Sequence, residues 1–441
     1  MKGYDIFINY IIQENMKVKL HTLGCKVNQY ETEVITEDLI KNGFTITQSD
    51  DDADIFIVNS CTVTSESDRK TRQTVRRLKH KKENSVVILT GCMPQAFPDM
   101  AQNLIEADIV IGNKNNKDIV PRLKKYLSEH QRFVGIEQHK NGEKFYCSQI
   151  TGFSERTRAI VKIEDGCDRF CSYCIIPKAR GRVRSKPLNV IRSEVEKLSK
   201  AGFQEVVLVG INLSAYGKDT GDKFYDAVKI AASVDGIKRV RLGSLEPDHL
   251  TDEVIEKLSL IKNLCPQFHI SLQSGSDSTL SLMNRHYTAD EYYALCLKLR
   301  NIFKYCTITT DIMVGFPSES DGDFNDTVEF VKKVGFEKVH VFPYSVRSGT
   351  KAASMDQIDK HTKEKRAATL SIEAAKIRSS FLSKQIGKTV QIIAESKGGD
   401  DYIFGYTANY IPVMAKKKQY NIGDFAEVKI IGSDGEYCYA E

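Results

Sequence analysis

The sequence predicts an α/β protein with three parts: an N-terminal open parallel α/β domain, a central partial (βα)6 barrel and a C-terminal all-β barrel. At 441 residues the chain exceeds one ordinary domain, and roughly 150 residues per domain gives an expectation of about three. Short apolar runs alternate with helix-like segments in two successive regions, and the last stretch is rich in β-branched residues. Hydrophobic residues at 41% and charged residues at 27% exclude a disordered, collagenous or low-complexity chain.

The N-terminal domain is predicted over residues 16–134. Its strands are four short apolar runs: Lys17–Leu23, Ile55–Asn59, Val86–Thr90 and Ile109–Ile111. Helices are predicted over Glu31–Asn42 and Arg69–His80, and a basic helix ends near Lys125. Strands that alternate with helices are typical of a parallel sheet. The polar, irregular stretch Gly135–Arg158 is predicted to be a linker.

Residues Met1–Asn15 precede a second methionine, Met16, and are interpreted as an upstream start or an unstructured leader. Asp5 interrupts their apolar residues and no small-residue cleavage site follows, so we expect no signal peptide. No stretch reaches the roughly 18 apolar residues that a membrane-spanning helix needs. Because the cytosol keeps thiols reduced, eleven cysteines without a secretion signal indicate metal or redox chemistry in the cytoplasm rather than disulfides.

The central barrel is predicted over residues 153–383 and the C-terminal barrel over residues 384–441. Six apolar runs indicate parallel strands: Ala159–Ile163, Val206–Val209, Arg239–Leu242, His269–Leu272, Thr307–Met313 and Lys338–Phe342. Helical spacing recurs in five segments: Val190–Ala201, Thr279–Met283, Ala289–Phe303, Phe324–Val334 and the charged Thr362–Gln385. Turn signals divide the last stretch into short strands typical of a small barrel: Gly398-Gly399, Asn421-Ile422-Gly423 and Asp434-Gly435.

Three cysteines lie close together in the segment Cys167-Asp-Arg-Phe-Cys171-Ser-Tyr-Cys174, just after the first strand of the barrel. Thiolates on one short loop cannot easily pair with one another, and soft thiolates favour zinc or an iron–sulfur cluster. A closed zinc site needs a fourth ligand, and no nearby histidine supplies one. An iron–sulfur cluster can instead leave one iron open to a small molecule, at the carboxyl ends of the barrel strands.

Cys25, Cys61 and Cys92 each follow a predicted strand of the N-terminal sheet by one to three residues. The carboxyl ends of parallel strands share one edge of an open sheet, where ligand crevices form. Burial as small hydrophobes is the alternative for each of them. Their repeated placement beside polar or turn residues favours a second three-thiolate cluster. The remaining cysteines match no ligand position and are assigned packing or no role: Cys147, Cys265, Cys296, Cys306 and Cys438.

The CxxxCxxC loop resembles that of the radical S-adenosylmethionine (SAM) enzymes. In that family the open iron chelates SAM, so the resemblance implies a SAM-binding cluster on the three cysteines of the loop. Tyr173 matches the aromatic position beside the adenine, with an ordinary packed aromatic as the alternative. Asn212 follows the second strand, where the family contacts the amino acid part of SAM, although the chain lacks a Gly-Gly-Glu there. Four residues at or just past strand ends could bind the SAM ribose, its methionine moiety or the substrate, with polar strand caps as the alternative: Glu246, Ser271, Gln273 and Asp311.

Two three-cysteine sets in one chain resemble the methylthiotransferases, in which a three-cysteine module, a radical SAM domain and a C-terminal TRAM RNA-binding barrel occur in this order. The match covers nearly the whole chain after Met16. It implies two 4Fe-4S clusters: one donates an electron to SAM, which yields methionine and a 5′-deoxyadenosyl radical, and the other presents sulfur that a second SAM methylates. The catalytic residues would then be Cys25, Cys61 and Cys92, and the electron donor a protein of flavodoxin or ferredoxin type.

Finer motifs resemble the branch that methylthiolates carbon 2 of N6-threonylcarbamoyladenosine at position 37 of tRNA, next to the anticodon. The motifs are His21-Thr-Leu-Gly-Cys-Lys-Val-Asn28, Gly181-Arg-Val-Arg-Ser185, Arg241-Leu-Gly-Ser-Leu-Glu-Pro247, Ser271-Leu-Gln-Ser-Gly-Ser276 and Phe342-Pro-Tyr-Ser-Val-Arg-Ser-Gly-Thr350. An aromatic C–H bond offers no acidic proton, which explains the need for a radical. The alternatives are the same reaction on isopentenyladenosine in tRNA or on a ribosomal protein aspartate, and a noncatalytic iron–sulfur protein that binds RNA or transfers electrons.

RNA contact is predicted from local charge, because a net charge of +5 is too weak to indicate a nucleic-acid partner. Arg180, Arg182 and Arg184 follow the cluster loop, where they could hold phosphates while an anticodon-loop base enters the site. A charge run is more often a solvated face. Two further basic stretches are Lys416–Lys418 and the set Arg72, Arg76, Arg77, Lys79, Lys81 and Lys82.

Overall fold

A computed structural model describes residues 16–152, 157–397, 402–416 and 420–441 of the chain. Three sequence predictions lie outside these residues: the leader up to Asn15, the Gly398-Gly399 turn, and the basic residues Lys417 and Lys418. Among the described helices, none is long and apolar enough to cross a lipid bilayer.

The N-terminal part of the chain forms a six-stranded parallel sheet. Its strands are β1 (Lys17–Thr22), β2 (Thr45–Ile46), β3 (Ile55–Ser60), β4 (Val86–Gly91), β5 (Ile109–Ile111) and β6 (Phe133–Gly135), in the spatial order β2-β1-β3-β4-β5-β6. The helices between them are α1 (Lys26–Lys41), α2 (Ser65–Lys81), α3 (Cys92–Ala96), α4 (Pro98–Gln102) and α5 (Ile119–Glu129).

Both faces of this sheet are buried. Ile55 and Ile57 belong to one apolar core, and Phe56 and Val58, the alternate residues of β3, belong to the other. The predicted parallel α/β arrangement is confirmed. Strands β2 and β6 at the two edges had no sequence signal, because two or three residues are too few to show a period.

The central part of the chain is a partial βα barrel built from two parallel sheets, in the orders β11-β10-β7 and β12-β13-β14-β15. The strands are β7 (Arg158–Lys162), β8 (Glu164–Asp165), β9 (Arg184–Ser185), β10 (Glu205–Val209), β11 (Arg239–Leu242), β12 (Ser244–Leu245), β13 (Gln267–Ile270), β14 (Thr307–Val314) and β15 (Lys338–Pro343), of which β8 and β9 form a separate short ribbon. A single bridge between Val240 and Leu264 joins the two sheets. The six predicted barrel strands are confirmed.

Helices cover the outside of the partial barrel. They are α7 (Leu188–Lys200), α8 (Phe224–Ala232), α9 (Asp252–Ser259), α10 (Asp277–Leu282), α11 (Ala289–Ile302), α12 (Asp321–Val334) and α13 (Lys360–Ser383). The short α6 (Ile176–Arg180) instead packs against α3 of the N-terminal part. Of the stretch predicted to be a linker, the described residues 136–152 are irregular but packed. The Ile150 N–H donates to Glu194 at 3.0 Å and the Ser148 carbonyl accepts from the Tyr30 hydroxyl at 3.0 Å. This stretch therefore holds the N-terminal sheet against the barrel.

The C-terminal part of the chain is a closed five-stranded barrel, in the order β16-β17-β18-β20-β19. Its strands are β16 (Thr389–Lys397), β17 (Tyr402–Thr407), β18 (Pro412–Lys416), β19 (Phe425–Ser433) and β20 (Cys438–Ala440). Arg239 and Arg241 of β11 donate to the Gln391 and Ala408 carbonyls, at 2.9 Å each. The predicted all-β barrel is thus confirmed, and it packs on the central barrel from the side of the amino ends of the strands. The opposite side carries the cysteine loop.

Candidate functional site

Cys25, Cys61 and Cys92 lie at the carboxyl ends of β1, β3 and β4, which are neighbours in the sheet. A Cβ atom placed on Gly24 would stand 3.1 Å from the Cβ of Cys61, so the first two loops are in contact. Burial raises the pKa of the Cys92 thiol to about 12, and the Cys61 and Cys25 thiols add to that rise. The structure therefore brings all three thiols to one edge of the sheet.

Buried amides hold the loops that carry these cysteines. The Asn28 Nδ2 donates to Asn59 Oδ1 and to the Ser60 carbonyl, at 3.2 Å each. The Asn59 Nδ2 returns a bond to the Asn28 carbonyl at 3.0 Å. Because these side chains are buried, losing one of the bonds would leave the other partner unsatisfied. The spacing of the thiols is thus set by side-chain amides that are not themselves candidate ligands.

Gly91, immediately before Cys92, is expected to tolerate no side chain. Its φ of +99° lies in the region that L-residues avoid, and a Cβ would lie 2.4 Å from the Ser60 carbonyl oxygen. We expect Gly91→Ala to lower the free energy of unfolding by more than the roughly 1–3 kcal/mol of backbone strain alone. The matched control is Gly202→Ala, because Gly202 has a φ of +96° but nothing within 4 Å of a Cβ. If chemical denaturation shows that both variants lose the same free energy of unfolding, the predicted clash at Gly91 is wrong.

A buried ion-pair network lies beside Cys92 and joins the N-terminal sheet to the barrel. The Arg180 Nε lies 3.2 Å from the Cys92 Sγ, and the Arg180 Nη2 lies 2.9 Å from Glu31 Oε2. The Lys162 ammonium lies 2.8 Å from Glu31 and 2.7 Å from Asp165. Burial alone would raise the pKa of Glu31, but Arg180 and Lys162 lower it below its ordinary value. A permanent positive charge therefore faces Cys92, where it favours the thiolate.

The three arginines predicted to contact RNA lie in different environments. Arg180 is 1% exposed, and Arg184 is buried with its Nη2 3.2 Å from Asp165. Neither guanidinium reaches a phosphate in this arrangement, so for these two the predicted contact is replaced by a structural role. The Arg182 side chain is 51% exposed and lies over the Phe170 ring, 4.5 Å from its centroid. RNA contact stays a prediction for Arg182.

The basic stretch on and just after α2 is largely neutralised by its own neighbours. Its cations form surface ion pairs: Arg76 with Glu106, Arg77 with Asp50, Lys79 with Asp108, Lys81 with Asp51 and Lys82 with Asp54. Exposed pairs of this kind contribute little to stability. This stretch therefore has the character of a solvated face, the alternative that its charge left open.

The second set of thiols lies on the loop that follows β8. The Cys174 N–H donates to the Cys171 carbonyl at 3.0 Å, and the Cys167 N–H donates to the Gly181 carbonyl at 3.0 Å, so the loop is folded back on itself. Burial raises the pKa of both Cys167 and Cys174 to about 12. Buried thiols of this kind ionise when a cation binds them, which suits a metal cluster held by thiolates.

Arg285 joins the cysteine loop to Glu246. Its Nη1 lies 3.3 Å from the Cys171 Sγ and 3.3 Å from Glu246 Oε1. A second cation, Arg169, lies 3.3 Å from Glu246 Oε2 and pairs also with Asp248. Glu246, predicted to contact SAM or substrate, is thus already bound by two arginines. In the described arrangement Glu246 holds Arg285 against the thiol, and its contact with SAM or substrate stays a prediction.

Arg285→Met is expected to slow the SAM cleavage that the family resemblance implies about ten- to hundredfold, because a charge-assisted hydrogen bond to a thiolate ligand is lost. Loss of a nearby positive charge is also expected to lower the reduction potential of the cluster. The measurements are the rate of 5′-deoxyadenosine formation and a redox titration followed by electron paramagnetic resonance. Arg285→Lys keeps the charge and should retain most of the potential. An unchanged potential in Arg285→Met would contradict this role.

The remaining candidates for SAM contact occupy several environments. The Tyr173 ring packs edge-on against Phe316, with ring centroids 6.3 Å apart. The Asn212 Nδ2 lies 3.6 Å from the Cys167 Sγ. The Ser271 carbonyl accepts from Tyr287 at 2.8 Å, and the Gln273 backbone has a φ of +73°. Tyr173 and Asn212 thus lie beside the cysteine loop, and SAM contact stays a prediction for all of them.

Asp311 lies inside the barrel, where a cavity of about 710 Å³ is lined by residues of all three parts of the chain. Cys25 and Gly210 line one region of the cavity, and Tyr410 of the C-terminal barrel lines another. The Asp311 carboxylate lies 3.1 Å from the His269 Nε2. Cys25 of the first thiol set and the interior of the barrel therefore line one shared cavity.

Two residues of the site were not predicted. Arg285 follows α10 in a segment without a recognisable motif, so no sequence signal could have found it. Glu164 is fully buried and accepts the Asn212 N–H at 2.7 Å, and burial raises its pKa well above the ordinary value. Its position three residues before Cys167 was a usable signal, because an acidic residue next to a ligand loop orients that loop.

Two family models match the chain. Residues 17–112 match the model described as uncharacterized protein family UPF0004, and residues 161–331 match the radical SAM superfamily. The first match ends within the thiol-bearing N-terminal sheet, and the second begins in β7 and includes the cysteine loop.

Several curated relatives align along almost their whole length. The threonylcarbamoyladenosine tRNA methylthiotransferase MtaB of Thermotoga maritima is 37% identical over 418 residues, 94% of each chain. The MtaB of Bacillus subtilis is 35% identical over 95% of each chain. The tRNA-2-methylthio-N6-dimethylallyladenosine synthase of Pelotomaculum thermopropionicum is 31% identical over 95% of each chain.

Solved structures resemble the chain in fold alone. The radical SAM methyltransferase TsrM of Kitasatospora setae, solved with cobalamin and a 4Fe-4S cluster, gives a TM-score of 0.56 at 14% identity and covers 77% of each chain. The cobalamin-dependent radical SAM enzyme OxsB, solved with aqua-cobalamin and SAM, gives a TM-score of 0.52 at 10% identity, over 83% of this chain and 57% of its own.

Proposed function

The chain belongs to the family of radical SAM tRNA methylthiotransferases, and we propose that it inserts a methylthio group at carbon 2 of N6-threonylcarbamoyladenosine at position 37 of tRNA. It is an enzyme that uses SAM and two 4Fe-4S clusters. The observation that carries the proposal is two separate three-thiol sites in a chain that is 37% identical to an MtaB over 94% of its length. The dimethylallyladenosine synthases are 31–33% identical, which favours the threonylcarbamoyl substrate.

The residues of both sites fit the clusters. When bound, the cluster on Cys167, Cys171 and Cys174 supplies the electron that cleaves SAM, and the cluster on Cys25, Cys61 and Cys92 supplies sulfur. Each site offers three thiols, and a cation lies within hydrogen-bond reach of one of them. The three thiols of each site and the cation beside one of them thus both support thiolate ligation of a cluster.

The chain's own residues position these ligands. Arg285, held by Glu246, donates to the Cys171 sulfur, and Asn212 lies beside the Cys167 sulfur. Arg180, held by Glu31, donates to the Cys92 sulfur and ties the first site to the barrel. Since the cavity is lined by Cys25 and by Gly210, just past the carboxyl end of β10, a splayed base enters it beside the first site.

Three further features belong to the same proposal. Arg182 contacts the phosphates next to the modified base, and the C-terminal barrel contacts the tRNA body as a TRAM domain. The electrons come from a protein of flavodoxin or ferredoxin type. The reaction takes place in the cytoplasm, where reduced thiols are maintained.

The test is mass spectrometry of tRNA nucleosides after anaerobic incubation with SAM and a reductant. Equal amounts of tRNA carrying threonylcarbamoyladenosine and tRNA carrying dimethylallyladenosine compete in one reaction. We expect the methylthio derivative of threonylcarbamoyladenosine to predominate. If the dimethylallyl derivative predominates, the reaction stands and the substrate is wrong. If 5′-deoxyadenosine forms and neither tRNA changes, methylthiolation of tRNA is wrong.

A further inference from the structure

The inner wall of the barrel on β13, β14 and β15 is polar. His269 pairs in register with Thr309, and Asp311 pairs with His340, so these side chains stand on one face of the sheet. That face lines the cavity. The interior of a βα barrel is ordinarily filled by branched apolar side chains. Polar residues in these positions leave the space open and supply hydrogen-bonding groups for a ligand.

The cavity also carries cations without carboxylate partners. Lys338 and Arg378 both line it, and among the described residues no carboxylate lies within 4.0 Å of either charge. The Arg378 Nη2 donates to the Glu436 carbonyl at 2.9 Å, and its buried Nε has no described partner.

The carboxylates deeper in the wall are already engaged. Asp311 lies 3.1 Å from His269, and Glu337 lies 3.2 Å from Arg300. A third carboxylate, Glu436, is exposed where the C-terminal barrel lines the cavity. Lys338 and Arg378 are therefore cations of the cavity lining that no carboxylate of the described residues engages, and such cations suit an anionic group.

A divalent metal is the competing occupant of this wall. His269, Asp311 and His340 offer ligand atoms within 4.8 Å of one another. The positive charges of Lys338 and Arg378 on the same cavity oppose a second cation there. Burial, together with Lys338, His269 and Arg378, lowers the pKa of His340, although Asp311 opposes that shift. His340 is then neutral at pH 7 and free to donate or accept a hydrogen bond.

We propose that Lys338 and Arg378 bind the carboxylate of the threonylcarbamoyl group, with His340 and Thr309 beside it for the hydroxyl and urea groups. The proposal rests on the proposed function and assigns its specificity to the barrel interior. Carbon 2 and N6 both lie on the Watson–Crick edge of adenine, so a base with carbon 2 near Cys25 directs its N6 substituent into the cavity. A dimethylallyl group carries no charge and would leave these polar groups unpaired, which costs affinity.

The test compares two tRNA substrates: one with the natural threonylcarbamoyl carboxylate and one in which that carboxylate is converted to a neutral amide. Wild-type enzyme is expected to show a KM for the amide about ten- to hundredfold higher, as for loss of a charge-assisted bond. Lys338→Met is expected to raise the KM for the natural substrate by a similar factor and to leave the KM for the amide at its wild-type value. The matched control is Lys257→Met, which replaces an exposed lysine of α9. This variant should have the wild-type KM for both substrates.

The outcomes separate the two claims. If wild-type enzyme modifies the natural tRNA but Lys338→Met raises KM equally for both substrates, the lysine has only a structural role and the subsite is wrong. Equal KM values of wild-type enzyme for carboxylate and amide would also overturn it. Failure of wild-type enzyme to methylthiolate the natural tRNA, with 5′-deoxyadenosine still forming, overturns the proposed function itself. Iron content and the melting temperature of Lys338→Met confirm that the variant is folded.

Discussion

Cys61→Ala is expected to abolish methylthiolation of tRNA while 5′-deoxyadenosine continues to form. Cys61 lies with Cys25 and Cys92 at one sheet edge, and removing one of three thiolates leaves a cluster with too few ligands. The other cysteine loop belongs to the central barrel and keeps all its thiols. The two products are measured in one reaction, the nucleoside by mass spectrometry and 5′-deoxyadenosine by chromatography.

The matched control for this variant is Cys147→Ala. Cys147 is exposed and lies in the irregular stretch before the barrel, in neither of the two thiol sets. The Cys147→Ala variant should form both products at wild-type levels. Methylthiolation by Cys61→Ala at the wild-type rate would show that Cys25, Cys61 and Cys92 do not hold the sulfur-supplying cluster.

Glu31→Ala is expected to lower the free energy of unfolding by about 3–5 kcal/mol, because it leaves buried cations without their carboxylate. Glu31 lies on α1, and both of its partners, Arg180 and Lys162, belong to the central part of the chain. Its loss also frees Arg180 from its position beside Cys92. We therefore expect reduced iron at the first thiol site as well as reduced stability, measured by urea denaturation and iron analysis.

Glu364→Ala is the control for loss of an ion pair. Glu364 pairs with Lys360 at 3.6 Å, and both side chains are well exposed. Exposed pairs contribute little, so this variant should unfold close to the wild-type midpoint. If Glu31→Ala and Glu364→Ala lower the free energy of unfolding equally, burial of the ion-pair network has no energetic consequence.

Much of the fold could be predicted because strand and helix periods are local properties. Ile55–Ser60 and Val86–Gly91 are continuous apolar runs, as buried parallel strands require. That topology also predicted that cysteines after successive strands would meet at one edge. The short edge strands Thr45–Ile46 and Phe133–Gly135 were not predicted. They are strands because they pair with a neighbouring strand, and their own sequence pattern is too short to show it.

The charged residues of the site could not be assigned from the sequence alone. Arg180 lies in a basic segment that suggests RNA, but its partner Glu31 is 149 residues earlier in the chain. Only the fold shows that this guanidinium is buried. The polar wall of the barrel did have a local signal, because polar residues alternate with apolar ones in Gln267–Ile270 and at the start of Thr307–Val314. Such alternation in a barrel strand indicates a polar interior.

One chain is expected to hold two iron–sulfur clusters on two separate sets of thiols, and the most direct test is iron analysis with Mössbauer spectroscopy. Wild-type protein should bind about eight iron atoms per chain as two 4Fe-4S clusters. Replacement by alanine of Cys25, Cys61 and Cys92 together, or of Cys167, Cys171 and Cys174 together, should leave about four in each case. If wild-type protein binds only about four iron atoms and replacement of a single set removes them all, the assignment of two clusters is wrong.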